Sequence, residues 1–244
     1  MSTRRQRIAI TGASGLIGGA LSSSLRADGH EVVQLVRHEP KGDHERPWDP
    51  ATRELDPGVL SDVDTVVHLA GAGVGDRRWT PTYKMLIRTS RVHGTDLVAR
   101  VVAAGAGPTR LVTASAVGFY GDRGDEVLTE ASAPGRSYLA GVVRDWEAAA
   151  APARAAGVPV AHARTGIVLT PAHRAFFRAL PKVELHCHLL GPLHHLHLHP
   201  LLLNLLLSLG HLGRRVKSGS RSESEVKSKC PGTRAPEWDI KIGA

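Results

Sequence analysis

RIAITGASGLIGGALSSSLRA, Arg7 to Ala27, decides the fold. Its first five residues, RIAIT, are a short β-branched run that ends against Gly12. From Leu16 to Ala27 the apolar residues fall at helical spacing, so the stretch reads as strand, glycine turn and helix. Gly12, Gly15 and Gly18 stand in a GxxGxxG spacing directly between the two elements. The first glycine permits a tight turn, the second lets backbone approach a pyrophosphate, and the third lets the helix pack closely on the strand. A diphosphate would meet the free N–H groups and positive end of the helix. The candidate cofactor-binding residues of the turn are Gly12, Ser14, Gly15, Leu16, Ile17 and Gly18.

The alternation continues outward from this unit. EVVQLV (Glu31 to Val36), DTVVHL (Asp64 to Leu69), TRLVT (Thr109 to Thr113) and VPVAHAR (Val158 to Arg164) read as strands. Long helical stretches near Thr80 to Ala104 and Ser137 to Ala156 separate the later ones. Continuously apolar strands divided by helices imply a parallel sheet covered on both faces. The expected fold is therefore α/β, a Rossmann-like doubly wound parallel sheet over residues 1–170. The end of the second strand bears on cofactor choice. An Asp or Glu there would bind a ribose 2′-hydroxyl, but the sequence offers Arg37 and His38. Arginine presents a planar fork suited to a 2′-phosphate, which favours NADP, with NAD as the other possibility and a solvated strand-end arginine as the plainer reading.

Composition sets the wider frame. The 244 residues carry a formal charge of +8 and are 42% hydrophobic, enough to bury a core. Residues 1–170 hold 20 Lys+Arg against 18 Asp+Glu, and residues 171–244 hold 11 against 5. The basicity belongs mainly to the tail, so no nucleic-acid partner is expected. Two cysteines, Cys187 and Cys230, are too few for a disulfide framework. With no signal-peptide run ahead of Gly12, the expected compartment is the cytoplasm.

Further blocks carry a family resemblance. TGASGLIG, VVHLAGAGV (Val66 to Val74), DRRW (Asp76 to Trp79), SRVHGT (Ser90 to Thr95), SAVGFYGDRGDEVLTE (Ser115 to Glu130), DWEAA (Asp145 to Ala149) and ARTGIVL (Ala163 to Leu169) follow in order. The chain resembles the atypical, epimerase-like branch of the short-chain dehydrogenase/reductase superfamily. That resemblance implies a Rossmann core with an NAD(P) cofactor across the strand carboxyl ends, lined by Leu69, Ala70 and Gly71. It also implies a small-molecule substrate of the nucleotide-sugar type, handled by an epimerase or oxidoreductase.

The superfamily's extended members use a Tyr with a Lys four residues later, the Lys lowering the tyrosine pKa and anchoring the nicotinamide ribose. Tyr138 is the matching tyrosine here, but Val142 stands four residues on, and sliding by one places Leu139 against Val143. Ser115 lies at the matching strand end. Counting back four from Tyr120 lands on Ala116 instead. Ser115, Tyr120 and Tyr138 are thus the catalytic candidates of a degenerate site, with Ser115 either facing the cofactor or ending a strand, and Tyr120 either an acid or a packed aromatic. A dinucleotide-binding module without turnover is the alternative. Arg77, Arg78, Lys84 and Arg91 are candidates for phosphate or anionic-substrate contact, or else members of a solvated face.

The family pattern stops after Leu169. AFFRALPKVELHCHLLG, Ala175 to Gly191, resembles the start of adenosine deaminase, whose H-x-H supplies two zinc ligands; His186 and His188 match it. Strand alternation would place both imidazoles on one face about 7 Å apart. A (β/α)₈ barrel needs about 250 residues, whereas 56 residues follow His188. No metal site is therefore expected, and a deaminase fragment is the remotest reading. A Leu/His-biased tract, His194 to Gly213, and a basic Ser-rich end complete a low-complexity tail. The five histidines, two prolines and asparagine between Leu189 and Leu212 argue against a membrane span. The expected organisation is a truncated Rossmann domain, 1–170, joined to a non-family tail, 171–244, as a frameshift, gene-model join or truncation would produce. Oligomeric state is not legible.

Overall fold

The computed structural model describes residues 4–105, 107–166 and 168. Six strands form one parallel sheet: β1 (Arg7–Thr11), β2 (Glu31–Val36), β3 (Glu45–Pro47), β4 (Thr65–His68), β5 (Arg110–Ala116) and β6 (Val160–Thr165). Their order across the sheet is β3-β2-β1-β4-β5-β6, and every pairing is parallel. The chain winds outward from β1 in one direction and restarts at β4 in the other, so the switch point lies between β1 and β4. The helices are α1 (Leu16–Ala27), α2 (Pro81–Ala103), α3 (Tyr138–Ala148) and α4 (Ala151–Ala155).

Strand alternation feeds two apolar layers. Ile8, Ile10, Val32, Val67 and Val112 pack with Leu21 and Leu25 of α1 on one face. On the other, Ala9, Val33, Leu35, Val66 and Leu111 meet Leu97, Val98, Val101 and Val102 of α2 and Ala153 of α4. Each fully buried Val, Leu or Ile contributes about 1.5–3 kcal/mol by leaving water. The doubly wound expectation is met. Tyr83 and Ile87 of α2 clasp Val142 of α3 in a third small cluster.

Two local features differ from the sequence reading. β3 is an additional strand, too short and polar (ERP) to show a period, and its Pro47 suits a sheet edge where a missing N–H costs nothing. The stretch expected as one helix from Ser137 to Ala156 is split into α3 and α4, since Pro152 has no N–H to return to the preceding turn. Among the described residues no helix is long and apolar enough to cross a membrane. The Leu/His tract, His186 and His188 lie outside the described residues.

Candidate functional site

Register brings the sequence candidates to one edge of the sheet. Thr11 pairs with Leu35 and with His68, so the glycine turn, Arg37 and Leu69 all leave the sheet at the same carboxyl end. Gly12 has φ +68°, a left-handed conformation, and a Cβ there would stand 3.1 Å from the Ala70 nitrogen. The β1–α1 turn and the loop after β4 therefore touch backbone to backbone. Gly18 is more tightly constrained: its Cβ would fall 2.2 Å from the Gly12 carbonyl oxygen. The third glycine of the motif is what allows α1 to begin so close to β1.

Side-chain caps close α2 and α3 but not α1 or the five-residue α4. Thr80 caps α2 by accepting from the Tyr83 amide, and Ser137 caps α3 by accepting from Ala140. Gly15 begins α1 and offers no side-chain cap. The first-turn amides have no intrahelical acceptors, so the N-terminus of α1 presents N–H groups and a positive dipole end for an anion. Ser14, Gly15 and Leu16 are exposed and Ile17 half-buried at this opening.

A hydroxyl joins the two loops. Thr11 Oγ1 accepts from the amides of Leu69 (3.0 Å) and Ala70 (3.2 Å) and lies 2.8 Å from His68 Nδ1. With both lone pairs engaged, Thr11 donates its proton to Nδ1, leaving the His68 proton on Nε2. Nε2 is buried without a hydrogen-bond partner, and the ring meets Trp48 edge-on at 5.8 Å. Burial pushes His68 down to about 4, so the imidazole is neutral. Gly94 makes room for it: a Cβ there would lie 3.2 Å from the ring.

Ser115 is 2% exposed, and its hydroxyl donates to Glu147 Oε1 at 2.5 Å. Arg164 grips the same carboxylate with two bonds of 2.8 Å, donates to the Tyr120 hydroxyl at 2.8 Å, and stacks 3.7 Å from the centre of Phe119. Burial alone would raise Glu147, but the bonds from Arg164 and Ser115 outweigh it and hold the carboxyl below its ordinary value. Beside this pair, Thr113 meets His162 Nδ1 at 2.5 Å while Arg154 donates to Nε2, fixing the proton on Nδ1. Burial holds His162 near 4. Ser115 and Tyr120 are thus brought together, through Glu147 and Arg164. Neither of those two was singled out from sequence, although both lie in the DWEAA and ARTGIVL blocks, which was the available signal.

Tyr138 stands apart from that network. It is 40% exposed, and its hydroxyl donates to the Lys84 carbonyl at 2.6 Å. Trp79 meets its ring edge-on at 6.1 Å, and the Lys84 ammonium lies 5.3 Å from the ring centre. Val142, where a lysine would be needed, is buried against α2. A cavity of about 430 Å³ borders Tyr138, Arg88, Arg144 and Asp145 and includes no residue of the glycine turn.

The remaining cations separate. Arg37, Arg77 and Arg78 are exposed, and Lys84 is half-buried. Arg91 leaves the solvated-face reading: it turns inward, donating to the Ala72 and Ile87 carbonyls at 2.8 and 3.0 Å. No cluster of three or more metal-ligating side chains occurs among the described residues.

A parallel sheet whose glycine turn opens at the switch point, beside an uncapped helix, defines a Rossmann-type nucleotide-binding protein. Residues 8–178 match the NAD dependent epimerase/dehydratase family, and the chain belongs to that family, in the epimerase-like branch of the short-chain dehydrogenase/reductase superfamily. An epimerase family protein of Mycobacterium bovis is 44% identical over 174 residues, covering 71% of this chain and 58% of the relative. The crystal structure of a nucleoside-diphosphate sugar epimerase from Corynebacterium glutamicum is 44% identical with a TM-score of 0.64, covering 73% of this chain and 38% of that one. A human epimerase family protein crystallised with NADPH is 30% identical with a TM-score of 0.51, covering 59% of this chain and 48% of that one. The chain spans little more than half the length of the mycobacterial relative.

Proposed function

We propose that residues up to about 170 bind a nicotinamide dinucleotide, NADP in preference to NAD, and that the chain is an epimerase- or oxidoreductase-type protein with a degenerate catalytic set. The observation that carries this reading is the glycine turn, packed against Leu69 and Ala70 and opening onto an uncapped α1. The residues fit the group: its diphosphate would face the amides of Leu16 and Ile17, the Gly15 amide being held by the Gly12 carbonyl at 3.0 Å, with Leu69, Ala70 and Gly71 along the neighbouring wall. Bound, the nicotinamide would give or take a hydride. Arg37, exposed where β2 ends and near enough to Asp49 to help lower that carboxyl, would hold a 2′-phosphate.

Relatives whose names refer to nucleoside-diphosphate sugars support a substrate of that class. Of the two candidate phenols we assign proton exchange with such a substrate to Tyr138, which is 40% exposed, whereas the Tyr120 hydroxyl is held by Arg164. Ser115, committed to Glu147, and Val142 in place of a lysine favour a second reading, a dinucleotide-binding module without turnover. No role is assigned to residues 171–244, and His186 and His188 enter neither reading. A cytoplasmic setting belongs to the same proposal.

Titration with NADPH and NADH, repeated with Arg37→Asp, tests the cofactor reading. The expected result is tighter NADPH binding, lost by tenfold or more in the variant because one charged hydrogen-bonding contact is replaced by repulsion. Equal affinities for both dinucleotides in both proteins would remove the 2′-phosphate argument. Incubation with a nucleotide-sugar panel separates turnover from binding alone.

A further inference from the structure

Half-buried arginines in this molecule generally carry a carboxylate partner. Arg164 holds Glu147, and Arg46 holds Asp62. Arg91 departs from that pattern, having no ion pair with an Asp or Glu among the described residues. Its guanidinium lies 5.1 Å from the centre of the Trp146 ring, where burial pushes it below its ordinary value. A guanidinium has five N–H donors. The two bonds to the Ala72 and Ile87 carbonyls both come from Nη1, leaving Nε and Nη2 without a hydrogen-bond partner among the described residues. Neither atom is among the buried unpartnered side-chain atoms of the described residues, which are Thr65 Oγ1 and His68 Nε2, so these donors stay open to a ligand, and a partly desolvated cation favours an anion there.

The loop beside Arg91 is the one that lines the crevice. The Arg91 stem packs against Gly71, and a Cβ on that glycine would lie 3.4 Å from Arg91 Cγ. Ser90 Oγ accepts from the Ala72 amide at 3.1 Å while Arg91 donates to the Ala72 carbonyl. Consecutive residues of α2 thus clamp both polar groups of one loop residue. The clamp fixes the distance between the guanidinium and anything lying over residues 69–73.

We propose that Arg91 is an anion-binding residue, whose free donors take a phosphate group of a ligand bound against the loop at residues 69–73. The assignment rests on the reading that this loop lines a dinucleotide site. Two ligands carry the required chemistry, the dinucleotide itself and a nucleoside diphosphate.

Isothermal titration with NADPH and, separately, with UDP distinguishes the sources. Arg91→Met is expected to weaken at least one of them tenfold or more and to flatten the salt dependence of that affinity. Loss for NADPH alone assigns the dinucleotide phosphate, and loss for UDP alone assigns the nucleoside diphosphate. Gly15→Val serves as the reference that removes the turn. If Gly15→Val abolishes NADPH binding while a folded Arg91→Met binds both ligands as tightly as the parent, the dinucleotide reading survives and the Arg91 assignment falls. A parent protein that binds neither ligand overturns both. Should Arg91→Met fail to fold, Arg91→Lys keeps the charge and loses the fork. Weakening of several-fold in Arg91→Lys supports the assignment, and unchanged affinity overturns it.

Discussion

Thr11 Oγ1 and His68 Nδ1 lie 2.8 Å apart in the core, and the same hydroxyl receives the amides of Leu69 and Ala70. One side chain thereby ties the end of β1 to the loop after β4. Thr11→Val preserves shape and deletes the acceptor. It should cost about 2–4 kcal/mol, since each buried group left unsatisfied costs about 1–3 kcal/mol. Thr11→Ser should recover most of that. Urea denaturation measures both; equal stability of the Val and Ser variants would show that the hydroxyl holds nothing.

His68 also sets a pH dependence. Its folded value of about 4 lies below the ordinary 6.5, so between those limits the unfolded chain binds the proton and the folded chain does not. Its contribution is complete above pH 6.5 and is lost as pH falls toward 4. The full shift corresponds to about 3 kcal/mol at about 1.4 kcal/mol per unit. His162 acts in the same direction. His68→Gln should flatten the slope between pH 6.5 and 4, as read by denaturation across that range; an unchanged slope would assign the acid sensitivity elsewhere.

Gly18 and Gly15 should respond differently to the same methyl group. At Gly18 the added carbon falls 2.2 Å from the Gly12 oxygen, and at Gly15 it falls 3.2 Å from that atom. Gly18→Ala must push α1 off β1, and overpacking of this kind costs about 1–3 kcal/mol or more. Gly15→Ala should leave the melting temperature within a few degrees. Thermal unfolding of the two variants checks the order; equal losses would show that α1 can shift without strain.

What the sequence made legible follows from local physics. The central strands β1, β2 and β4 are apolar on both faces, so their runs stand out, and Gly12 and Gly18 are fixed by contacts within a few residues of the motif or at the next strand. β3 escaped because three polar edge residues have no period. The α3–α4 break escaped because a helix was read across Pro152. The Ser115–Glu147–Arg164 network escaped for another reason: its members lie 32 and 17 residues apart, and only the fold pairs them. Arg91 shows the same limit, since helical position alone could not tell an inward arginine from a solvated one.

The Glu147–Arg164 pair should therefore behave as a structural unit. Glu147→Leu leaves a half-buried guanidinium uncompensated, and breaking a buried pair from one side costs about 3–5 kcal/mol. Ser115→Ala removes one hydrogen bond and should cost about 1 kcal/mol. Because the folded Glu147 value is depressed, its contribution is present above the unfolded value and lost as pH falls through the folded one. Denaturant unfolding of the two variants near neutral pH checks the ranking. A Ser115→Ala loss as large as that of Glu147→Leu would mean that the hydroxyl holds the network together.

Tyr138 separates the two functional readings. Its hydroxyl bonds only the Lys84 carbonyl among the described residues, and the ring is 40% exposed, so Tyr138→Phe should cost less than about 1.5 kcal/mol, the net worth of one hydrogen bond. Dinucleotide affinity should not change, because the glycine turn lies on other elements. If the phenol exchanges a proton with substrate, turnover on a nucleotide sugar should fall about 100-fold or more, the size of a general acid–base contribution. Turnover retained in Tyr138→Phe would exclude the phenol from the chemistry. Absence of turnover in the parent, together with firm NADPH binding, would favour the module without catalysis, in which Val142 packs against Tyr83 and Ile87 because no lysine is required there.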